Sequence, residues 1–190
     1  MSEAFLNHNL PGMDAEINYI HDHCLANGLT LAVAESVTSG RLQLLFSKAT
    51  GGAQFFQGGI TTYNTGQKTK HLQVEPIHAL ACNAVSQEVA IQMALGVCHL
   101  FNCNVGIAVT GYAAPAPEMD IHEPFAFFAI TCRGQTVMAQ KIVPVAHEPE
   151  EVAQEYALQI MHSCYQYFRQ QGTKINSEAV KGEKEDPARH

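Results

Sequence analysis

The stretch Leu29 to Gly40, LTLAVAESVTSG, constrains the chain more than any other. Leu31, Ala32, Val33 and Ala34 form an apolar run too short for a helix core and suited to a strand buried on both faces. The run stops at Glu35 and Ser36, passes Thr38, Ser39 and Gly40, and gives way to the periodic apolar residues Leu42, Leu44, Leu45 and Phe46. Strand, polar turn and helix therefore follow in that order. In open α/β sheets the carboxyl ends of buried strands are where ligands bind. The unpaired N–H groups and positive dipole end of the following helix favour an anion or oxyanion there. Two readings of the hydroxyls stand side by side: Ser36 or Thr38 caps the helix, or Ser36 is a nucleophile.

The rest of the chain repeats this arrangement. A helix is expected from Asp14 to about Ala26, closed by Asn27-Gly28, and another from after Thr38 to about Lys48. Ile60 to Tyr63 reads as a second strand. Gly58-Gly59 before it implies close backbone approach to a neighbouring strand or to a ligand. A short helix can begin at Asn64, with Pro76 as a break, and Ser86 caps a clear helix carrying Val89, Met93 and Val97. Val105 to Val109 is a third buried strand, and it too ends on a hydroxyl and a glycine, Thr110-Gly111. A long, proline-rich loop follows from Tyr112 to Pro124. Phe125 to Thr131 and Thr136 to Val145 form a hairpin around Arg133-Gly134, and a last helix runs from Glu148 to about Gln170. The expected architecture is a three-layer α/β/α sandwich with a mixed sheet of about five strands. Residues 1–13 read as a flexible leader, 14–171 as a single domain and 172–190 as a disordered tail.

Composition excludes several function classes. A formal charge of −7, with no basic run, argues against a nucleic-acid surface. No apolar segment reaches the roughly 18 residues of a membrane helix, and the start of the chain lacks a secretory pattern. The six cysteines form no CxxC pair and read as free thiols of a reducing, cytoplasmic compartment. Ten scattered histidines offer no ligand spacing for a metal, so neither metal nor cofactor is expected.

If the first three strands are parallel neighbours, Glu35, Ser36, Thr38, Tyr63, Lys68, Thr110 and Gly111 face one crevice. A serine beside a lysine makes a nucleophile and base when burial lowers the lysine pKa. Backbone N–H groups after Ser36 would then serve as an oxyanion hole. That is a recipe for acyl transfer or amide hydrolysis. On spacing alone, Lys68 reads as well as a solvated surface lysine.

The segments AESVTSG, FFQGGITTYNTGQK, AVSQEVAIQMALG and VGIAVTGYAAP resemble, in order and spacing, the C-terminal domain of the CinA family, which includes stand-alone nicotinamide-nucleotide amidases. The resemblance covers about residues 15–170. It implies the α/β/α fold with a mixed five-stranded sheet. It implies metal-free hydrolysis of the carboxamide of nicotinamide mononucleotide to nicotinic acid mononucleotide and ammonia. By resemblance Ser36 is the nucleophile, Lys68 its base and Tyr63 a catalytic-site residue. Glu35, Thr38, Ser39, Gly40, Gly59, Thr110 and Gly111 fall at substrate-binding or turn-forming positions. A pyridine nucleotide or related amide is the expected partner, and a homo-oligomer the expected state.

Several positions depart from the family pattern. Val37 replaces a cysteine and Ser39 the first glycine of a pair. Ala-Pro-Ala-Pro replaces the G-P-G-G loop, and Phe125 and Phe127 stand where small groups are usual. Val145-Ala146-His147 replaces a G-D-R stretch whose arginine suits a phosphate, leaving His147 as a pH-dependent substitute. The nucleophilic half is thus present and the nucleotide-holding half altered. Two hypotheses follow: an active amidase, or a non-catalytic homologue acting as a ligand-binding or assembly module. Hydrolysis of an amide without a phosphate is a third. A crevice plugged by Phe125 or Phe127 would favour the non-catalytic reading.

Overall fold

The computed structural model describes residues 12–182. The elements are α1 (Met13–Ala26), β1 (Leu31–Glu35), α2 (Arg41–Ser47), β2 (Phe56–Thr61), α3 (Thr65–Leu72), α4 (Pro76–Ala81), α5 (Gln87–Phe101), β3 (Val105–Tyr112), β4 (Phe125–Cys132), β5 (Gln135–Ile142) and α6 (Pro149–Gly182). One five-stranded sheet has the order β2-β1-β3-β4-β5. β1 pairs in parallel with β2 and β3, and β3, β4 and β5 pair antiparallel. Helices cover both faces, so the architecture is the mixed α/β/α sandwich that the element order predicts.

The two faces of the sheet differ because side chains alternate along a strand. Leu31, Val33, Val105, Ile107, Val109, Phe128 and Ile130 point toward α1, α2 and α6. Ala32, Ala34, Ala108 and Ala129 point the other way, toward α3, α4 and α5. The small residues let α5 approach β3 closely. A Cβ at Gly106 would stand 2.0 Å from the Ala94 carbonyl oxygen, and one at Gly96 would stand 2.0 Å from that of Leu72. No side chain fits in either gap.

Some boundaries differ from the sequence pattern. α1 starts at Met13, not Asp14, because Met13 is buried (3% exposed) in the core that the helix covers. Residues 1–11 of the leader lie outside the described residues. β2 begins at Phe56 and includes Gly58 and Gly59, since pairing with β1 overrides the weak strand preference of glycine. Pro76 starts α4 instead of breaking a segment: it lacks an N–H where the first helical turn needs none, and the Glu75 carboxylate accepts from Ile77 and His78 N–H. α6 continues to Gly182, through the start of the tail expected at 172. No proline intervenes before Pro187, and the packed first half supplies the costly helix nucleus. Residues 183–190 lie outside the described residues. At the β4–β5 turn Arg133 and Gly134 both adopt positive φ (51° and 77°), the geometry of a tight hairpin.

The contact between α5 and β3 yields a direct test. Gly106→Ala should lower unfolding free energy by roughly 1–3 kcal/mol, the range for overpacking a core. Urea denaturation would read it, and an unchanged midpoint would show that the interface has slack.

Candidate active site

β1, β2 and β3 run in parallel, so their carboxyl ends reach the same edge of the sheet. A cleft of about 450 Å³ opens there, and Ser36, Tyr63, Lys68, Thr110, Gly111 and Tyr112 are among its lining residues. Ser36 is 6% exposed and Lys68 2% exposed. Lys68 Nζ donates to Ser36 Oγ and to the Thr62 carbonyl oxygen, both at 2.9 Å. The lysine projects from α3, whose first turn is fixed by Asn64: its side-chain oxygen accepts from Gln67 N–H. Burial pushes the Lys68 pKa from 10.5 down to about 8. The solvated-surface reading of Lys68 is therefore set aside by its position.

Ser36 is held by its neighbour in sequence. Glu35 is fully buried and its carboxylate faces away from the cleft. One oxygen accepts from Thr38 Oγ1 (2.6 Å), Gly40 N–H (3.0 Å) and Leu42 N–H (3.0 Å); the other accepts from Gln43 N–H (2.9 Å) and Gln43 Nε2 (3.2 Å). This corrects two expectations. Neither Ser36 nor Thr38 caps α2, since Glu35 satisfies its first amides. Those amides are also not a docking point for an external anion, because an internal carboxylate already occupies it. Thr38, fully buried, is a donor to Glu35, not a cleft residue.

The other expected site residues divide. Thr110 Oγ1 donates to the Ala84 carbonyl oxygen at 2.7 Å, tying the end of β3 to the loop before α5. Gly111 lines the cleft, and a Cβ there would stand 2.5 Å from Ala126 of β4. Tyr63 is 76% exposed at the cleft edge. Ser39 and Gly40 form the turn, with φ of 50° and 96°, and lie outside the cleft lining. Gly59 packs on β1: a Cβ would stand 2.5 Å from Val33 Cγ2, so its close approach is to the neighbouring strand and not to a ligand. His147 is exposed and outside the lining, because the chain meets the cleft two residues later, at Pro149.

Asn83 and Tyr112 belong to the site without a signal strong enough to single them out beforehand. Asn83 Nδ2 donates to Tyr112 Oη at 3.0 Å. Asn83 and Ala84 both adopt positive φ (49° and 54°), a conformation that an alanine in the sequence does not advertise. Tyr112 directly follows the Thr110-Gly111 corner, and that adjacency was the available clue. Phe125 and Phe127 do not plug the cleft. Phe125 packs edge-on against Tyr112 and Phe127, with Lys141 Nζ 4.1 Å from its ring centroid. The loop after β3 forms without positive φ until Asp120, using a 3-10 turn at Pro117–Met119. Its alanines therefore need no glycine-like conformation.

The six cysteines are free; Cys24 and Cys164 are buried and the others partly so. Among the described residues, no group of three or more His, Cys, Asp or Glu side chains converges as a metal site would require. No described helix is long and apolar enough to cross a membrane.

Fold and cleft together define an open α/β protein with a buried serine–lysine pair at its parallel strand ends. The chain belongs to the family of the CinA C-terminal domain, whose model matches residues 14–167. It is 39% identical over 119 residues to a putative competence-damage inducible protein of Moorella thermoacetica, covering 62% of this chain and 28% of that one. It is 43% identical over 88 residues to a CinA-like protein of Synechocystis, covering 46% and 21%. The chain thus matches about a quarter of the length of these relatives. Among solved structures, a CinA superfamily protein from Klebsiella pneumoniae superposes with a TM-score of 0.75 at 25% identity, covering 83% of this chain and 98% of that one. One from Escherichia coli gives a TM-score of 0.71 at 26% identity, covering 79% and 87%.

Two measurements test the geometry. Glu35→Gln places an amide N–H₂ among donors and should lower stability by roughly 2–3 kcal/mol, the value of hydrogen bonds to a charged group. A variant as stable as wild type would show that the carboxylate is dispensable. The second measurement concerns pH. With its pKa lowered to about 8, Lys68 binds its proton less well in the folded chain than in the unfolded one. Its charge therefore opposes folding below pH 8, and stability rises as pH climbs from about 8 to 10.5. Relative to Lys68→Met, wild type should gain roughly 2 kcal/mol between about pH 7.5 and 10. A pH-independent difference would mean that the lysine is not desolvated.

Proposed function

We propose that the protein is a serine–lysine amidohydrolase acting on the carboxamide of nicotinamide mononucleotide or a related pyridine amide, releasing ammonia. The observation that carries this reading is the 2.9 Å contact between Lys68 Nζ and Ser36 Oγ, both buried at the wall of an open cleft. A buried lysine with a pKa near 8 is neutral in roughly a tenth of molecules at pH 7 and about half at pH 8, and that fraction can take a hydroxyl proton. The Thr62 carbonyl oxygen fixes the amine in place.

Ser36 Oγ attacks the carboxamide carbon as Lys68 accepts its proton. The negative oxygen of the tetrahedral intermediate is stabilised in the turn after Ser36 by the N–H of cleft-lining Val37, which has no backbone acceptor among the described residues. Lys68 returns the proton to the leaving nitrogen, the C–N bond breaks and ammonia departs. Water, deprotonated by Lys68, then cleaves the acyl-serine ester to give the acid and restore Ser36. Glu35 and Thr38 act on this sequence only by positioning the turn.

The cleft is open beside Ser36, with Phe125 and Phe127 engaged elsewhere. That favours turnover over a purely binding or assembly role. Ammonia release should rise with pH along a single ionisation near 8, as Lys68 loses its proton. Ser36→Ala and Lys68→Met should each remove at least 99% of it, because nucleophile and base act as a unit. Circular dichroism should show both variants folded. Full activity in either folded variant would sink the mechanism.

A further inference from the structure

A short connection joins α5 to β3, and two cysteines bracket it: Cys98 in the last turn of α5 and Cys103 just before β3. This joint lies at the amino end of β3, the opposite end from the cleft. Cys103 N–H donates to the Cys98 carbonyl oxygen at 3.0 Å and Asn102 N–H to that of His99 at 3.4 Å, while Asn102 takes a left-handed φ of 49°. This nested pair of bonds is the Schellman ending of a helix, which brings together the side chains of the two residues that the longer bond joins. An apolar pair commonly fills that contact. Here both residues are cysteines, and their thiols are hydrogen-bonded to each other. The 3.0 Å backbone bond also keeps the two Cα atoms within roughly 6.8 Å, the reach of a disulfide. Cys98 Sγ stands 3.6 Å from Thr131 Oγ1 and Cys103 Sγ 3.3 Å from the Val105 carbonyl oxygen, so each sulfur has a fixed neighbour beside the start of β3. Both residues are part-exposed. Cys24 and Cys164 are fully buried, and burial raises their pKa values and that of Cys132. The contact with Cys103 holds the Cys98 thiol below its ordinary value of 9.0 and raises that of Cys103, so Cys98 ionises first.

We propose that Cys98 and Cys103 form a redox-active dithiol, which a small-molecule disulfide such as oxidised glutathione converts reversibly to an intramolecular disulfide. The Cys98 thiolate attacks one sulfur of the oxidant, whose S–S bond breaks to release one thiolate and leave a mixed disulfide on Cys98. Cys103 then loses its proton and attacks the Cys98 sulfur, releasing the second thiol. The protein gives up two hydrogens and two electrons, and the oxidant is reduced to two thiols. The assignment stands on the turn after α5 and is independent of the amidase reading. The new bond ties the end of α5 to a joint that is already anchored: Asn104 Oδ1 accepts from Thr30 N–H at 3.0 Å, and Arg133 N–H donates to the Asn104 carbonyl oxygen at 2.7 Å. Closing it removes freedom mainly from the unfolded chain, so the oxidised form is the more heat-stable.

The test uses the full chain, reduced with dithiothreitol, freed of it and exposed to oxidised glutathione at about pH 8, where the Cys98 thiolate is well populated. Remaining thiols are alkylated and the bonds mapped by peptide mass spectrometry. The expected product is lighter by about 2 Da, carries a Cys98–Cys103 bond, and returns to the dithiol with dithiothreitol. Cys103→Ser, which lacks the resolving thiol, should stop as a mixed disulfide on Cys98. Cys98→Ser should form an adduct at Cys103 at least about tenfold more slowly than that. Circular dichroism checks that both variants are folded. A lasting mixed disulfide on the wild type, no oxidation at all, or a bond from Cys98 to Cys132 instead would overturn the proposal. Equal adduct rates in the two variants would overturn Cys98 as the attacking thiol. The oxidised wild type should melt several degrees above the reduced protein, and a lower melting temperature would overturn the claim that the turn is already shaped for the bond.

Discussion

The Glu35 carboxylate joins the sheet to the site. It ends β1 on the inside of the molecule and accepts five hydrogen bonds, three of them from backbone N–H groups at the start of α2. A seven-residue helix has little stability of its own, and its first amides would otherwise be buried without acceptors. The buried charge is tolerated because every donor around it is positioned to meet it. The turn that results holds Ser36 at the cleft wall beside Val37, whose N–H has no backbone acceptor among the described residues. The serine's place is thus a consequence of a carboxylate that lies outside the cleft lining.

Lys68 presents the complementary case. Its burial works against folding while it is protonated, and the same burial brings its pKa near 8. Destabilisation and reactivity have one cause, the removal of water from the amine. The structure holds the lysine there by anchoring α3 with the Asn64 cap at one end and burying Leu72 at the other. At the surface, where water reaches the amine, the same lysine would return toward its ordinary pKa.

The side of the sheet facing α5 sets the depth of the cleft. Alanines and glycines let α5 lie against β3, and the loop before it meets Thr110 through the Ala84 carbonyl. Asn83, from that loop, then reaches Tyr112 at the end of β3. The far wall of the cleft therefore depends on small residues packed well below it. The start of α6 meets the cleft at Pro149, and Tyr156 of the same helix donates to the Tyr112 carbonyl oxygen at 3.0 Å.

Local pattern determined much of this protein. The apolar run at Leu31–Ala34, the strand–turn–helix order and the Arg133-Gly134 hairpin are set by side-chain periodicity and turn chemistry, which act between near neighbours. The motif around Ser36 and Lys68 marked both as candidates for the same reaction. Tertiary structure decided what those residues do. Glu35, Ser36 and Thr38 are alike in being polar at a strand end, and only the fold turns Glu35 and Thr38 inward and Ser36 toward the cleft. Gly59 and Gly111 looked equally suited to a ligand, yet both glycines are required by a neighbouring strand, and Gly111 alone also lines the cleft. His147 stood close to the site in sequence, and the path of the chain leaves it outside while Pro149 enters. The lowered Lys68 pKa is likewise invisible in the chain, because desolvation depends on residues brought together from distant positions and not on the lysine's own neighbours.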